Sequence, residues 1–157
     1  MPLPESTGKL DISKRGAPAP ADGFQTPDGE PVTLAAFRGK PLLVNLWATW
    51  CGPCVAEMPT LDALADRTGD RLQVLVISQD IQGAEVVGPY FEKAGLKRLE
   101  AYLDPENALG FAIASGMLPT TVLYDAEGKE IWRVIGAMDW DGPRANTLLS
   151  EALGSER

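Results

Sequence analysis

Histidine is absent from this chain. Its absence removes the commonest protein metal ligand, the commonest general base and any CxxCH haem attachment. Cysteine is nearly absent as well: Cys51 and Cys54 are the only two. Three positions apart, they cannot build the multi-bridge framework that stabilises small secreted domains, and so they act as one unit. Long hydrophobic runs are also missing. No stretch reaches the roughly 18 apolar residues of a membrane span, and the opening MPLPESTGKLDISKRGAPAP lacks the apolar core of a signal peptide. The chain as it stands is expected to be soluble, without direct membrane insertion. A mature form of an exported protein would look the same, so location has to be argued by other means. Positive charge is in short supply too, with 14 Lys and Arg against 22 Asp and Glu and a net charge of −8. Nucleic-acid phosphates and anionic lipid surfaces are therefore repelled, and neither is an expected partner.

What is present suits one domain: 157 residues, 45% of them hydrophobic, enough for a core of ordinary size. Residues 1 to 20, rich in Pro, Gly, Ser and charge and ending Ala17-Pro18-Ala19-Pro20, predict an extended or mobile lead-in with no core, ahead of a domain over 21–157. Two short apolar pieces between Phe24 and Leu34 flank the turn signal Pro27-Asp28-Gly29 and predict a small hairpin. The run Leu42-Leu43-Val44-Asn45-Leu46-Trp47 is almost continuously apolar, as in a central strand covered on both faces. After the cysteines, Val55, Met58, Leu61, Leu64 and Ala65 recur at helical spacing, with Pro59 inside the segment. A second apolar run from Leu72 to Ile77 predicts another buried strand, followed by a helix beginning near Pro89 with Tyr90, Phe91 and Ala94 on one face. A short strand at Ala101 to Leu103 and a short helix carrying Ala108, Leu109, Ala112 and Ile113 come next. A hairpin of Thr121 to Tyr124 with Glu130 to Ile135 follows, and a last helix begins around Asp141-Gly142-Pro143, with Leu148, Leu149, Ala152 and Leu153 as its apolar face. The sum is an α/β sandwich of mixed strand direction.

Trp50-Cys51-Gly52-Pro53-Cys54 falls between a strand and a helix, which puts the first sulfur at a helix N-terminus. Unpaired N–H groups and the positive end of the helix dipole stabilise a thiolate there, and such sites lower a cysteine pKa from about 8.5 into roughly 3.5 to 7.5. Cys51 is the expected nucleophile. Cys54, one turn further on, can bond Cys51 while facing the protein interior and is the expected resolving thiol. The pair can then cycle between dithiol and disulfide with no cofactor. Half of a zinc site and a purely structural bridge are the competing explanations. Zinc needs about four ligands, and no other cysteine and no histidine exist to supply them. A bridge closing so short a loop stabilises little.

Leu43 to Cys54, LVNLWATWCGPC, resembles the active-site strand and turn of thioredoxins almost residue for residue. The continuation CGPCVAEMP resembles the CxxCxxExP pattern of the bacterial extracytoplasmic TlpA/ResA/CcmG-like thioredoxins, and the likeness runs from about residue 20 onward. It implies a thioredoxin fold: a three-layer α/β/α sandwich with a mixed central sheet, an N-terminal β-hairpin and a central αβ insertion. Gly116-Met117-Leu118-Pro119-Thr120-Thr121 matches the family segment that carries a cis-proline facing the disulfide. Pro119 is the proline so implied, with the Leu118 backbone turned toward the sulfurs to meet an extended partner. The resemblance further implies that Glu57 is partly buried, has a raised pKa and helps deprotonate Cys54, whereas spacing alone leaves it an ordinary exposed helix glutamate. Ordinary thioredoxins have a buried aspartate six residues before the first cysteine. Here that residue is Asn45, which cannot take up a proton, and Glu57 is the expected replacement. Trp50 is expected to border the partner-binding surface together with Gly52, Pro53 and Leu118, while Trp47 is assigned to the core.

Gly52 and Pro53 match reducing thioredoxins, so the resemblance implies a protein disulfide reductase. It would act outside the cytoplasmic membrane of a bacterium, drawing electrons from a membrane thiol carrier and reducing cysteines of partner proteins. Cytochrome c maturation and copper-site assembly are the pathways it suggests. A peroxiredoxin-like peroxidase is the nearest rival, but that family has threonine three residues before its reactive cysteine, where this chain has Ala48. A redox-inactive module or metal chaperone is the other rival, disfavoured by the missing histidine and the intact cysteines.

Overall fold

The computed structural model describes residues 6–154. The run predicted to be a central strand is one: β4 (Leu42–Trp47) is buried at all six positions. It pairs in parallel with β5 (Gln73–Ser78) and antiparallel with β7 (Thr120–Tyr124). Around these lie β1 (Lys9–Asp11), β2 (Phe24–Gln25), β3 (Pro31–Val32), β6 (Tyr102–Leu103) and β8 (Glu130–Ile135), in the sheet order β1-β8-β7-β4-β5-β6-β2-β3. The helices are α1 (Gly52–Thr68), α2 (Ala84–Ala94), α3 (Ala108–Ile113) and α4 (Pro143–Leu153). Among the described residues no helix is long and apolar enough to cross a membrane.

Because strand side chains alternate between faces, the continuous apolar run of β4 feeds two cores. Leu43 and Trp47 join Met58, Leu61 and Leu64 of α1, Val87 of α2 and Leu149 of α4 on one side. Leu42, Val44 and Leu46 join Leu109 and Ile113 of α3 and the short 3-10 turn at Leu34 on the other. The result is the three-layer α/β/α sandwich with a mixed sheet. The β2–β3 hairpin and the α2–β6 insertion extend the sheet beyond β5. Since β4 and β5 run parallel, their C-terminal ends open on the same edge, and the loop into α1 leaves from that edge.

Two sequence expectations need correction. The lead-in is not separate from the sheet over residues 8–19. β1 pairs with β8 at Lys9↔Ile135 and Asp11↔Arg133, Gly16 N–H donates to Glu130 O, and Ala19 N–H donates to Gly128 O. Gly8 lies so close to Val134 that a Cβ there would meet its Cγ1 at 2.6 Å. The free N–H and C=O groups of β8 need partners, and a Pro- and Gly-rich stretch supplies backbone as well as any other. Residues 1–5 of the proposed lead-in lie outside the described residues. The helix expected at Pro89 begins five residues earlier, at Ala84, with Pro89 inside it. Pro89 is exposed, as is Glu85, whose carbonyl loses its helical donor, and the buried Val87 extends the apolar face backward.

Candidate active site

At the end of β4 the chain turns through Ala48, Thr49 and Trp50 before α1 begins, and Asp80 holds this turn from the end of the neighbouring β5. The Asp80 carboxylate accepts from Thr49 N–H at 3.0 Å, Thr49 Oγ1 at 2.7 Å and Ser78 Oγ at 2.7 Å. Cys51 is the N-cap of α1: its backbone is extended (φ −100°, ψ 106°), and its sulfur accepts from the Cys54 N–H at 3.3 Å. Pro53 lies in the first turn, where its missing N–H is no loss. Cys51 and Cys54 are joined in a disulfide with their Cα atoms 5.3 Å apart. Cys51 keeps 7% of its surface exposed and Cys54 none, so only the first sulfur can be approached from outside.

The Leu118–Pro119 peptide bond is cis. Its loop is held by Thr120 Oγ1, 2.7 Å from the Met117 carbonyl, and by Gly136 N–H donating to Pro119 O at 2.9 Å. One cavity of about 500 Å³ is walled by Gly52 and Pro53 on one side and by Leu118 and Pro119 on the other. A second, of about 560 Å³, is lined by Trp50, Phe111, Met117 and Leu118, with Gln79, Asn107 and Ser115 as polar groups. Trp50 is 71% exposed, whereas Trp47 is wholly buried against Tyr90 and Phe91 at ring-centroid distances of 5.1 and 6.0 Å. All the residues singled out from the sequence thus converge on one edge of the sheet, except Glu57 and Asn45, which lie beneath it.

Glu57 is wholly buried, against the default for a helix glutamate. Its carboxylate accepts from Asn45 Nδ2 at 3.1 Å, Met138 N–H at 2.8 Å and the Trp140 indole N–H at 3.1 Å. These bonds favour the charged form, but burial outweighs them and raises the pKa from 4.5 to about 8. Asn45 also donates to Thr121 Oγ1 at 3.0 Å. The sequence reading missed Asp80, Met138 and Trp140. Asp80 follows a predicted strand, a position from which a side chain can reach the adjacent loop. Met138 and Trp140 stand some eighty residues from Glu57 with no local signal. Among the described residues no group of three or more Cys, Asp or Glu is placed to hold a metal.

Comparison with known proteins agrees with this architecture. The family model Redoxin matches residues 14–149. The thiol-disulfide oxidoreductase ResA of Bacillus cereus is 29% identical over 109 residues, 69% of this chain and 62% of that protein. ResA of Bacillus subtilis (strain 168) is 29% identical over 131 residues, 83% of this chain and 72% of that one. This chain thus spans a little under two thirds of the first relative's length and somewhat more of the second's. The exposed lipoprotein thioredoxin Etrx1 of Streptococcus pneumoniae strain TIGR4 superposes with a TM-score of 0.71 at 25% identity, covering 83% of this chain and 98% of that one. The match across most of its length and the thioredoxin architecture around a CxxC disulfide show that this chain belongs to the Redoxin family, with ResA-type thiol-disulfide oxidoreductases among its relatives.

Proposed function

We propose that this protein is a thiol-disulfide oxidoreductase that reduces disulfides in partner proteins, with Cys51 as nucleophile and Cys54 as resolving thiol. The observation that carries the reading is the asymmetry of the pair: Cys51 caps α1 at the surface, and Cys54 is sealed behind it. In the reduced protein, the Cys51 thiolate, favoured by the helix N-terminus, attacks one sulfur of a partner disulfide and expels the other as a thiolate. Cys54 gives its proton to ionised Glu57 and attacks the Cys51 sulfur, releasing the partner's second thiolate and leaving the disulfide seen here. A carboxyl with a pKa of about 8 has both forms available near neutrality, as a proton acceptor for a thiol requires. Two electrons and two protons from a dithiol donor restore the starting state.

Leu118 and the cis Pro119 are proposed to present backbone to an extended partner, with Trp50, Gly52 and Pro53 forming the rest of the contact surface. The apolar cavities on either side of Leu118 support that reading. Similarity to ResA proteins and to a lipoprotein described as exposed supports work outside the cytoplasmic membrane of a bacterium. A membrane thiol carrier is the electron donor we propose, with cytochrome c maturation or copper-site assembly as the pathway. The proposed working unit starts at about residue 8, since the backbone bonds of residues 8–19 to β8 and the loops at its ends make them part of the sheet. The test is Cys54→Ser incubated with a disulfide-bonded protein: mass spectrometry should find a mixed disulfide through Cys51. If no adduct forms while Cys51 remains alkylatable, the reading fails.

A further inference from the structure

Among the described residues, the groups that reach the Glu57 carboxylate are all donors in the arrangement described above: Asn45 Nδ2, Met138 N–H and the Trp140 indole N–H. That shell suits a carboxylate. Glu57 nevertheless holds its proton up to about pH 8, and a buried O–H needs an acceptor. Neither the Met138 amide nor the Trp140 indole can accept in any orientation. Asn45 can. Its Oδ1 is wholly buried and has no hydrogen-bond partner among the described residues. A half-turn about χ2 would exchange the two ends of the amide without changing its shape. Thr121, bonded to the same Nδ2 at 3.0 Å, carries a hydroxyl that can accept from the NH₂ end or donate to the C=O end.

We infer that Asn45 is a positioning residue that turns its side-chain amide with the protonation state of Glu57, presenting NH₂ to the carboxylate and C=O to the carboxylic acid. The inference rests on the reading in which Glu57 exchanges a proton with Cys54. In the ionised state Nδ2 donates to Glu57 Oε1 and Thr121 Oγ1, and Oδ1 is unpaired. In the protonated state Oδ1 accepts from the Glu57 O–H and the Thr121 hydroxyl, and the NH₂ is unpaired. Two bonds are made in each state, so the proton can come and go without a net loss of pairing. An aspartate at 45 would instead set a second carboxyl against the first. Asn45 belongs to β4 and Thr121 to β7, while Cys54 stands three residues before Glu57 on α1, with Cys51 as the helix cap. The 138–140 segment contributes a backbone amide and an indole. Asp139 between them accepts from Asp141 N–H at 3.0 Å, toward the start of α4. Burial alone raises the Glu57 pKa, with no neighbouring charge contributing.

The experiment is an NMR titration of the oxidised protein, in which the cysteines do not titrate, following the Glu57 side-chain carboxyl carbon and the Asn45 side-chain NH₂ from about pH 5 to about pH 10. The two should move together with one midpoint. The cross-relaxation between the Asn45 amide protons and Thr121, present at high pH, should be lost at low pH. In Glu57→Gln the Asn45 signals should no longer depend on pH. If Glu57 titrates while Asn45 keeps its contacts throughout, the amide turn is overturned and the proton-exchange reading stands. If Glu57 does not titrate in this range, both fall.

Discussion

Behind the Cys51–Cys54 disulfide, the site consists of buried polar groups with fixed partners: Glu57 on Asn45, Met138 and Trp140, and Asn45 on Thr121. In front of it, the surface is apolar and open, with Trp50 71%, Phe111 81% and Met117 53% exposed around a cavity. The two sides therefore do different work under our proposal. The enclosed side is shut off from solvent, which disfavours a charge, so a carboxyl there holds its proton into the neutral range. The open side has no charge to match and offers area and backbone to an extended chain. Separating them keeps the proton chemistry independent of which partner docks.

The largest effects are expected on the enclosed side. The unfolded chain ionises Glu57 from about pH 4.5, whereas the folded chain keeps it protonated to about 8. Stability from this group is thus fully present below about pH 4.5 and is lost as pH rises to about 8, a fall of several kcal/mol in all. Denaturant unfolding of the oxidised protein across that range should show the fall, and Glu57→Gln should flatten it. Kinetically, Glu57→Gln should slow resolution by Cys54 about 100-fold and abolish the pH dependence near 8, as read by stopped-flow exchange. Between the two sides, Asp80→Ala strips three hydrogen bonds from the Thr49 turn and Ser78. It should cost about 2 to 3 kcal/mol of stability and broaden the range of Trp50 positions seen by fluorescence. On the open side the effect should be smallest. Trp50→Ala should leave stability within about 0.5 kcal/mol, raise KM for a protein disulfide several-fold and leave reaction with glutathione unchanged.

Which parts of this were legible in the sequence follows from the range of the forces involved. β4 and β5 could be read from their composition, because a strand covered on both faces must be apolar throughout. The β7–β8 hairpin was marked by its Gly128 turn, and α3 by its spacing. The helical face of α1 was only half visible: Met58, Leu61 and Leu64 are buried as their periodicity predicts, but Glu57 and Thr60 are buried beside them. A hydrophobic pattern cannot register a polar residue whose partners arrive from residues 138–140. Only the likeness to CxxCxxExP pointed to Glu57. β1 was missed for a related reason, since its place is set by the unpaired edge of β8 and not by its own side chains.

Under the proposed function, Cys51 and Cys54 exchange electrons with other thiols. The most direct test is to equilibrate the protein with glutathione or dithiothreitol buffers of graded poise and titrate the fraction oxidised by alkylation and mass spectrometry. A reductant should show a reversible two-electron transition at a strongly reducing potential, approached identically from the reduced and the oxidised side. A transition at the potential of a strong oxidant would reverse the direction of electron flow proposed here. A pair that never equilibrates would rule out thiol-disulfide exchange by this protein.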